Sequence, residues 1–241
     1  MDPRTREVLL NEFALQCFRD VADADYIAAR MAYRAELLIQ AYWSSQQALE
    51  KYLKGILLFR RIPMTKRTHS LKKLLRTLEQ KFPLGLSKDT RDFIGFIESW
   101  DVDRYFIYPF GSEGLELVQL DKAVWDVRRY CTPVDSRVSP KGTPLADLEL
   151  ELIEGAWDDS PQKFRSASPG VLEKVLGDVK NAARQALVWK NLYFGRTERR
   201  SIKLKQTWSS SNSPLALYPE IIKEVKDYVF LPNGVDRLTR P

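Results

Sequence analysis

The sequence predicts a mainly α-helical protein, an up-and-down helical bundle followed by a smaller α+β C-terminal extension. Two observations lead to this prediction. Through residues 4–130, apolar residues recur every three or four positions, which is the spacing of one helix face. Beyond residue 145, two short segments alternate with a period of two, which is typical of strands. The composition allows a buried core, since 44% of the 241 residues are hydrophobic.

Five helices are expected in the first part of the chain, and short loops between them favour antiparallel neighbours. The first two apolar stripes are Phe13, Cys17, Val21, Ala24, Ala28 and Met31, and then Tyr42, Ser45, Leu49, Tyr52, Ile56 and Phe59. Thr68 or Ser70 can cap the third helix, and Ser87 opens the fourth. A turn is expected at 109–111. The last three stripes are Leu71, Leu74, Leu75 and Leu78; Phe93, Ile94, Phe96 and Ile97; and Leu117, Leu120, Val124 and Val127.

The C-terminal part of the chain has a different pattern. Three prolines and a glycine within residues 132–145 indicate a linker. We therefore divide the chain into a bundle at 1–135, a linker at 136–145 and an α+β region at 146–241. Within that region, residues 148–152 and 202–205 alternate as half-solvated strands of opposite charge that could pair across a ladder. One helix is expected at 169–193 and a short one at 219–229.

The composition excludes several classes of enzyme. Most zinc sites and most Ser or Cys catalytic triads need a histidine, and His69 is the only one in the chain. Cys17 and Cys131 stand far apart, and neither CxxC nor HExxH spacing occurs. No glycine-rich loop of the dinucleotide-binding or P-loop type is present. The sequence therefore predicts neither a metal nor a cofactor.

The distribution of charge and apolar residues bears on location and partners. No apolar run approaches the roughly 20 residues needed to cross a bilayer, and the first residues are charged rather than typical of a signal peptide. Two cysteines cannot form a secreted disulfide framework. We therefore expect a cytoplasmic protein without membrane association. A formal net charge of +6 permits a phosphate-bearing partner without requiring one.

Three strings combine polar and charged residues in a distinctive order. They are QQALEKYLK at 46–54, THSL at 68–71 and DVDRYFIYP at 101–109. In this order and spacing they resemble the HEPN family, the nucleotide-binding domain of higher eukaryotes and prokaryotes, over about residues 10–130. The resemblance implies an all-helical bundle that usually forms homodimers. Many members are metal-independent endoribonucleases or toxins of toxin-antitoxin and defence systems, while others only bind nucleotide or RNA.

The family's nuclease motif is broken in this chain. Nuclease members place an Arg about four to six residues before a His, so that the His moves a proton while the Arg stabilises phosphoryl charge. The matching Arg is Arg104, but Pro109, Phe110 and Gly111 stand where the His should follow. Arg104 and Tyr105, with Tyr108 before the proline, are closer to the Arg-Tyr-Pro ending of the non-catalytic branch. The resemblance therefore implies binding without cleavage.

The same resemblance brings four side chains together as a ligand-binding site. They are Glu50, Lys54, His69 and Arg104, with Tyr105 beside them. The alternative for Glu50 and Lys54 is a solvated ion pair, since they stand four residues apart on one helix, and His69 could simply cap or pack at a helix start. No catalytic residue is assigned with assurance; the candidates are Arg104, His69 and Tyr108. Of these, only histidine titrates near neutral pH, because an unperturbed tyrosine has a pKa of about 10.

Residues 60–76 contain seven basic residues and no acidic one. They are Arg60, Arg61, Lys66, Arg67, Lys72, Lys73 and Arg76. Such a block can bind phosphates, or it can be an ordinary solvated loop and helix face. A second basic cluster is followed by an aromatic residue on which a base could stack. Its members are Arg196, Arg199, Arg200, Lys203 and Lys205, followed by Trp208.

Three functions from different classes fit these observations. The first is a dimeric HEPN-like protein that holds a nucleotide or RNA without cutting it. The second is a divergent metal-independent endoribonuclease that uses Arg104 with His69 or Tyr108. The third is a protein-interaction partner, for instance of a nucleotidyltransferase. A homodimer is expected because the first two helices carry apolar residues on more than one face; these are Phe13 with Phe18, and Tyr42 with Trp43.

Overall fold

The computed structural model describes residues 2–64, 66–100, 107–108, 110–112, 114–133, 169–195, 201–203, 209–231 and 235. Over these residues the protein is mainly α-helical, as the sequence predicts, and its strands form one two-stranded sheet. The strand predicted at 148–152 and the linker predicted at 136–145 lie outside the described residues. The division of the chain at that linker therefore stays a prediction.

The bundle consists of five helices. The first, α1, is α-helical over Pro3–Ala14, π-helical over Leu15–Arg19 and again α-helical over Asp20–Arg34. The others are α2 (Leu38–Phe59), α3 (Leu71–Glu79), α4 (Lys88–Ser99) and α5 (Glu116–Arg128). Ser70 caps α3 and Ser87 caps α4, each by accepting a hydrogen bond from a backbone N–H three residues later. Both caps satisfy donors that a helix start leaves free, as expected.

The central helix of the bundle is α2, which packs against each of the other four. Its predicted stripe is buried from Tyr42 to Phe59, and Leu49, Tyr52 and Ile56 are completely enclosed. A helix surrounded on several sides needs apolar residues over most of its circumference. This position accounts for the apolar composition of α2 and places Ser45, Gln46 and Glu50 in a buried environment.

The stripe predicted for α1 faces solvent, contrary to the usual expectation for an apolar helix face. Phe13 is 51% exposed and Val21 is 40% exposed, and the remaining stripe residues are exposed as well. The face that packs in the core carries mostly small or aromatic residues, one isoleucine and charged residues that are paired; they are Ala14, Arg19, Ala22, Asp23, Tyr26, Ile27, Ala29 and Arg30. Since paired charges can be buried, hydropathy alone selects the wrong face of this helix.

The segment 169–195 packs on the bundle as two short helices, whereas the sequence pattern predicts one. They are α6 (Val171–Gly177) and α7 (Ala182–Val188), and the side chain of Asn181 caps α7 by accepting from the N–H of Ala183. Both helices contact α1. Leu172, Leu187 and Phe194 join the core of the bundle. This part of the C-terminal region is therefore attached to the helices that precede it.

The described strands are β1 (Phe110–Ser112) and β2 (Ser209–Ser211), which pair antiparallel with Gly111 opposite Ser210. β1 lies where the sequence predicts a turn. Local sequence could not predict this strand, because its partner strand lies about a hundred residues further along the chain. Residues 202–203 of the other predicted strand are not in a strand. The chain continues with α8 (Pro214–Leu217), a 3-10 turn (Pro219–Ile221) and α9 (Ile222–Tyr228). These last elements share a small separate core.

Candidate functional site

The polar site begins with two side chains of α2. Glu50 and Lys54 lie one helical turn apart, and Nζ of Lys54 donates to Oε1 of Glu50 at 2.5 Å. The Glu50 side chain is only 7% exposed. A carboxylate in such a position loses most of its hydration. Removing one of its partners therefore costs more stability than breaking an ion pair on the surface. The alternative of a solvated pair therefore does not hold for Glu50.

His69 reaches the same carboxylate from the loop before α3. Its Nδ1 lies 3.0 Å from Oε1 of Glu50, and its side chain is 53% exposed. A carboxylate only accepts hydrogen bonds, so the imidazole donates from Nδ1, which leaves Nε2 as the acceptor of the neutral ring. Among the described residues, nothing donates to the buried Oε2 of Glu50. One carboxylate thus binds a lysine and fixes the orientation of a half-exposed histidine.

The loop that carries His69 is held on both sides. The hydroxyl of Ser70 donates to Oε1 of Glu98 on α4, and the N–H of Lys72 donates to Oε2 of the same carboxylate at 2.9 Å. Oγ1 of Thr68 accepts from the N–H of Ser70 at 3.1 Å. These bonds join the start of α3 to the end of α4 and thereby limit the positions that the intervening histidine can adopt.

Two of the five predicted ligand-binding residues, Arg104 and Tyr105, lie outside the described residues. The last residue described before them is Trp100, whose ring packs on Tyr42 of α2 with centroids 4.8 Å apart. Tyr42 is about two helical turns from Glu50 on the same helix. Tyr108, the third catalytic candidate, packs half-buried against the small C-terminal core. The described part of the site therefore contains Glu50, Lys54 and His69, which the resemblance predicts together.

The predicted basic stretch does not form a single surface. The Arg60 guanidinium lies over the ring of Phe82 at 4.5 Å, and Arg61 donates to the carbonyl of Leu58 and to the side chain of Asn11 on α1. The other five cations are exposed, and four of them line one groove: Lys66, Arg67, Lys73 and Arg76. Of the second basic cluster, only Lys203 is described, and it is exposed.

The sequence analysis did not identify a second polar cluster, which joins α1, α5 and α6. Arg128 donates to both oxygens of Asp23 and to both oxygens of Glu173, over 2.7 to 2.8 Å. The hydroxyl of Tyr52 also donates to Asp23. Burial and the neighbouring Asp23 carboxylate raise the pKa of Tyr52 well above its ordinary value. The sequence spacing gives no indication of this cluster, since Asp23 and Arg128 are 105 residues apart.

A third cluster fastens α7 to the bundle in a similar way. Arg30 is fully buried; it pairs with Asp121 of α5 and donates to the carbonyl oxygens of Ala186 and Trp189. The hydroxyl of Tyr26 donates to the same carboxylate at 2.6 Å. The clusters of Arg128 and Arg30 are therefore structural, because each connects the C-terminal segment to the helices of the bundle.

Two further observations concern metals and membranes. In the part of the chain that the structure describes, three or more His, Cys, Asp or Glu side chains nowhere come together as a metal-binding group. Among the same residues, every helix is too short or too polar to span a bilayer.

Fold and site together define a helical-bundle domain with a polar site on its central helix. The family model of the HEPN domain matches residues 16–121, and this part of the chain is a HEPN domain. The match runs from the π-helical segment of α1 into α5 and includes Glu50, Lys54 and His69. A comparison with curated proteins and one with solved structures found no match.

Proposed function

We propose that the protein is a non-catalytic HEPN-domain protein that binds a nucleotide or RNA at Glu50, Lys54 and His69, with Arg104 and Tyr105 as further ligand-binding residues. One observation carries the proposal: a buried carboxylate anchors a lysine and a half-exposed histidine at the same oxygen atom. Membership of a toxin-antitoxin or defence system is part of the proposal and rests on the family alone.

The chemistry of the three side chains suits a phosphate-bearing ligand. The ammonium of Lys54 supplies a positive charge, and a protonated His69 can donate from Nε2 to a phosphate oxygen. Glu50 carries no hydrogen to donate in its ionised form, so it serves to orient the two cationic groups. Cleavage would need a base beside Arg104, where the chain has Pro109, Phe110 and Gly111.

The test compares two lysines of α2 in the full chain. Affinity for a fluorescent oligoribonucleotide and for labelled ATP is measured by anisotropy for the wild type, Lys54→Ala and Lys51→Ala. Lys51 is the matched control because it also pairs with a carboxylate, that of Asp25, but lies outside the site. Loss of a charge-assisted contact should weaken binding by about tenfold in Lys54→Ala, and Lys51→Ala should bind like the wild type. Equal effects, or no binding by the wild type, would contradict the proposal.

The hydrogen bond between His69 and Glu50 favours a second candidate, a metal-independent endoribonuclease. In hydrolytic triads a carboxylate orients a histidine in the same way, leaving its other nitrogen to act as a base. Arg104 would then stabilise the phosphoryl charge, and Tyr108 is the other candidate base. We expect no cleavage of structured or single-stranded RNA in EDTA. Cleavage that both Arg104→Ala and His69→Ala abolish, in folded variants, would establish the enzyme instead.

A homodimer through the bundle is part of the proposal, and the exposed stripe of α1 supports it. This stripe runs from Phe13 to Met31 and leaves Phe13, Val21 and Met31 between 40% and 51% exposed, and clustered exposed apolar residues often mark interaction sites. A second copy would bury the same stripe on both chains, as a two-fold axis requires. A cytoplasmic location also belongs to the proposal, since Cys17 and Cys131 are both free thiols.

Light scattering of the full chain tests the dimer. Val21 lies in the middle of the stripe, so Val21→Glu should convert a dimer into a monomer, because a carboxylate cannot be buried there without a partner. Val179→Glu is the matched control: Val179 is 77% exposed but lies between α6 and α7. A wild type that is monomeric at tens of micromolar would contradict the proposed dimer. The stripe would then be available to another protein such as a nucleotidyltransferase.

A further inference from the structure

A groove of about 340 Å³ lies between the loop that precedes α3 and the exposed face of that helix. Lys66 and Arg67 line it from the loop, and Lys73 and Arg76 line it from the helix, so cationic groups stand on both walls. Thr68 and Thr77 add hydroxyl groups. The residues that line this groove include no acidic side chain.

The four cations of the groove have no counter-charge within the described part of the chain, where none of them forms an ion pair. Two carboxylates at the ends of α3 are engaged elsewhere: Glu79 pairs with Arg91, and Glu98 accepts hydrogen bonds at the start of α3. Four like charges in one concave site repel one another, and an anionic ligand relieves that repulsion. The charge of the groove therefore favours an anion with more than one negative charge.

The same groove borders the polar site. Thr68 lines the groove, and the next residue, His69, turns to the carboxylate of Glu50. Adjacent Cα atoms are about 3.8 Å apart, so the backbone of the histidine lies next to a residue that lines the groove. A mononucleotide carries its charge at one end and can use only part of such a site. A phosphodiester chain carries charge at every residue and can occupy both places at once.

We propose that this groove binds the phosphodiester backbone of a single-stranded nucleic acid and leads the strand past His69. The inference rests on the proposed function and narrows it, because the ligand becomes a polynucleotide rather than a free nucleotide. Narrow basic grooves that follow a backbone are the usual means of holding single strands, and they make affinity strongly dependent on salt.

Two adjacent lysines of α3 separate this proposal from a general effect of charge. Lys73 lines the groove, whereas the neighbouring Lys72 is exposed outside it, with its side chain against Gly95 of α4. Both are exposed on the same helix and both are basic, so reversal of either changes the net charge equally. A ligand in the groove distinguishes them, and a diffuse attraction does not.

The experiment measures anisotropy of a labelled oligouridylate with the full chain at several salt concentrations, for the wild type, Lys73→Glu, Arg76→Glu and Lys72→Glu. Unlabelled ATP, inorganic phosphate and the equivalent oligodeoxynucleotide serve as competitors. We expect Lys73→Glu and Arg76→Glu to weaken binding by at least tenfold and to reduce the salt slope by about one unit each. Lys72→Glu should change the affinity by less than about threefold. Thermal unfolding confirms that all variants are folded.

The outcomes separate the two proposals. Equal weakening by Lys72→Glu and Lys73→Glu would overturn the groove while leaving binding at Glu50, Lys54 and His69 intact. Binding of ATP without binding of the oligouridylate would also overturn it, since a free nucleotide would then be the ligand. The oligodeoxynucleotide distinguishes the two sources of such a backbone: equal competition means that the groove takes either polymer, and no competition means that it takes RNA. If the wild type bound neither oligonucleotide nor nucleotide, the proposed function itself would fail.

Discussion

Arg128 and Glu50 are charged side chains buried in the same helical bundle, but their surroundings differ. Arg128 donates to both oxygens of Asp23 and both oxygens of Glu173. Glu50 receives Lys54 and His69 at one oxygen, while in the described part of the chain its other oxygen has no partner. In the first cluster Asp23 is fully buried and the Arg128 side chain is only 5% exposed, whereas the second opens to solvent through the exposed ring of His69.

This difference separates a structural cluster from a candidate binding site. A buried charge with all its hydrogen bonds made is expensive to disturb and has nothing left to offer a ligand. A buried carboxylate that orients partly exposed cations can hold them in place for an incoming anion. Changes in the cluster of Arg128 should therefore affect stability, whereas changes in the cluster of Glu50 should affect binding.

The largest effect on stability is expected for Arg128→Ala. It leaves the fully buried Asp23 carboxylate without its charge partner, and breaking such a pair costs about 3 to 5 kcal/mol of the free energy of unfolding. Chemical denaturation followed by circular dichroism measures it. Lys88→Ala is the control because it removes a fully exposed ion pair with Asp92, and it should leave the unfolding midpoint unchanged. Equal stability of the two variants would refute the structural role of the Arg128 cluster.

A smaller effect is expected in acid, through Glu173. Burial by itself would raise the pKa of this carboxyl, but Arg128 and the N–H of Gly170 outweigh it and hold the pKa below its usual value. A carboxyl with a lowered folded pKa adds stability above its unfolded pKa of about 4.3, and this stability disappears as the pH falls through the folded value. The attachment of α6 should therefore weaken below about pH 4.

Glu173→Gln isolates this contribution. At pH 7 the variant should be less stable than the wild type by about 1 kcal/mol, the size of a charge-assisted hydrogen bond on a partly exposed group. As the pH falls below 4, the difference in melting temperature between the two chains should shrink toward zero. A difference that is constant with pH would show that the Glu173 charge does not stabilise the fold.

The smallest effect on stability is expected for Glu50→Gln, which keeps the shape of the side chain. Removal of a poorly hydrated charge offsets the loss of its ion pair, so the free energy of unfolding should change by about 1 kcal/mol or less. RNA affinity should nevertheless fall several-fold, because Lys54 and His69 lose their common anchor. Asp25→Asn is the control, because it removes the charge of Asp25 on α1 that pairs with Lys51 of α2. This variant should keep the affinity of the wild type. If Glu50→Gln lowered the stability without weakening RNA binding, the Glu50 cluster would be structural and not a binding site.

Local sequence signals predicted much of this arrangement. Ser70 and Ser87 cap the third and fourth helices of the bundle, where the sequence predicts helix starts. The predicted apolar stripe of α2 is buried along its whole length. Glu50 and Lys54 share a helix face because they stand four residues apart. The convergence of His69 on Glu50 came from the resemblance to the HEPN family, since spacing alone cannot bring a loop residue to a carboxylate 19 residues away.

The sequence by itself determined the helical class and the starts of α3 and α4 after Ser70 and Ser87, because these depend on periodicity, capping and residue identity within a few positions. Tertiary structure decided which face of α1 is buried, because Asp23 and Arg30 become acceptable in the core only beside Arg128 and Asp121, which are 105 and 91 residues away. It also divided the basic stretch, since Phe82 and Asn11 engage Arg60 and Arg61 while Lys73 and Arg76 face a groove. Charge pattern along a chain is local, whereas the partner that neutralises each charge is set by the fold.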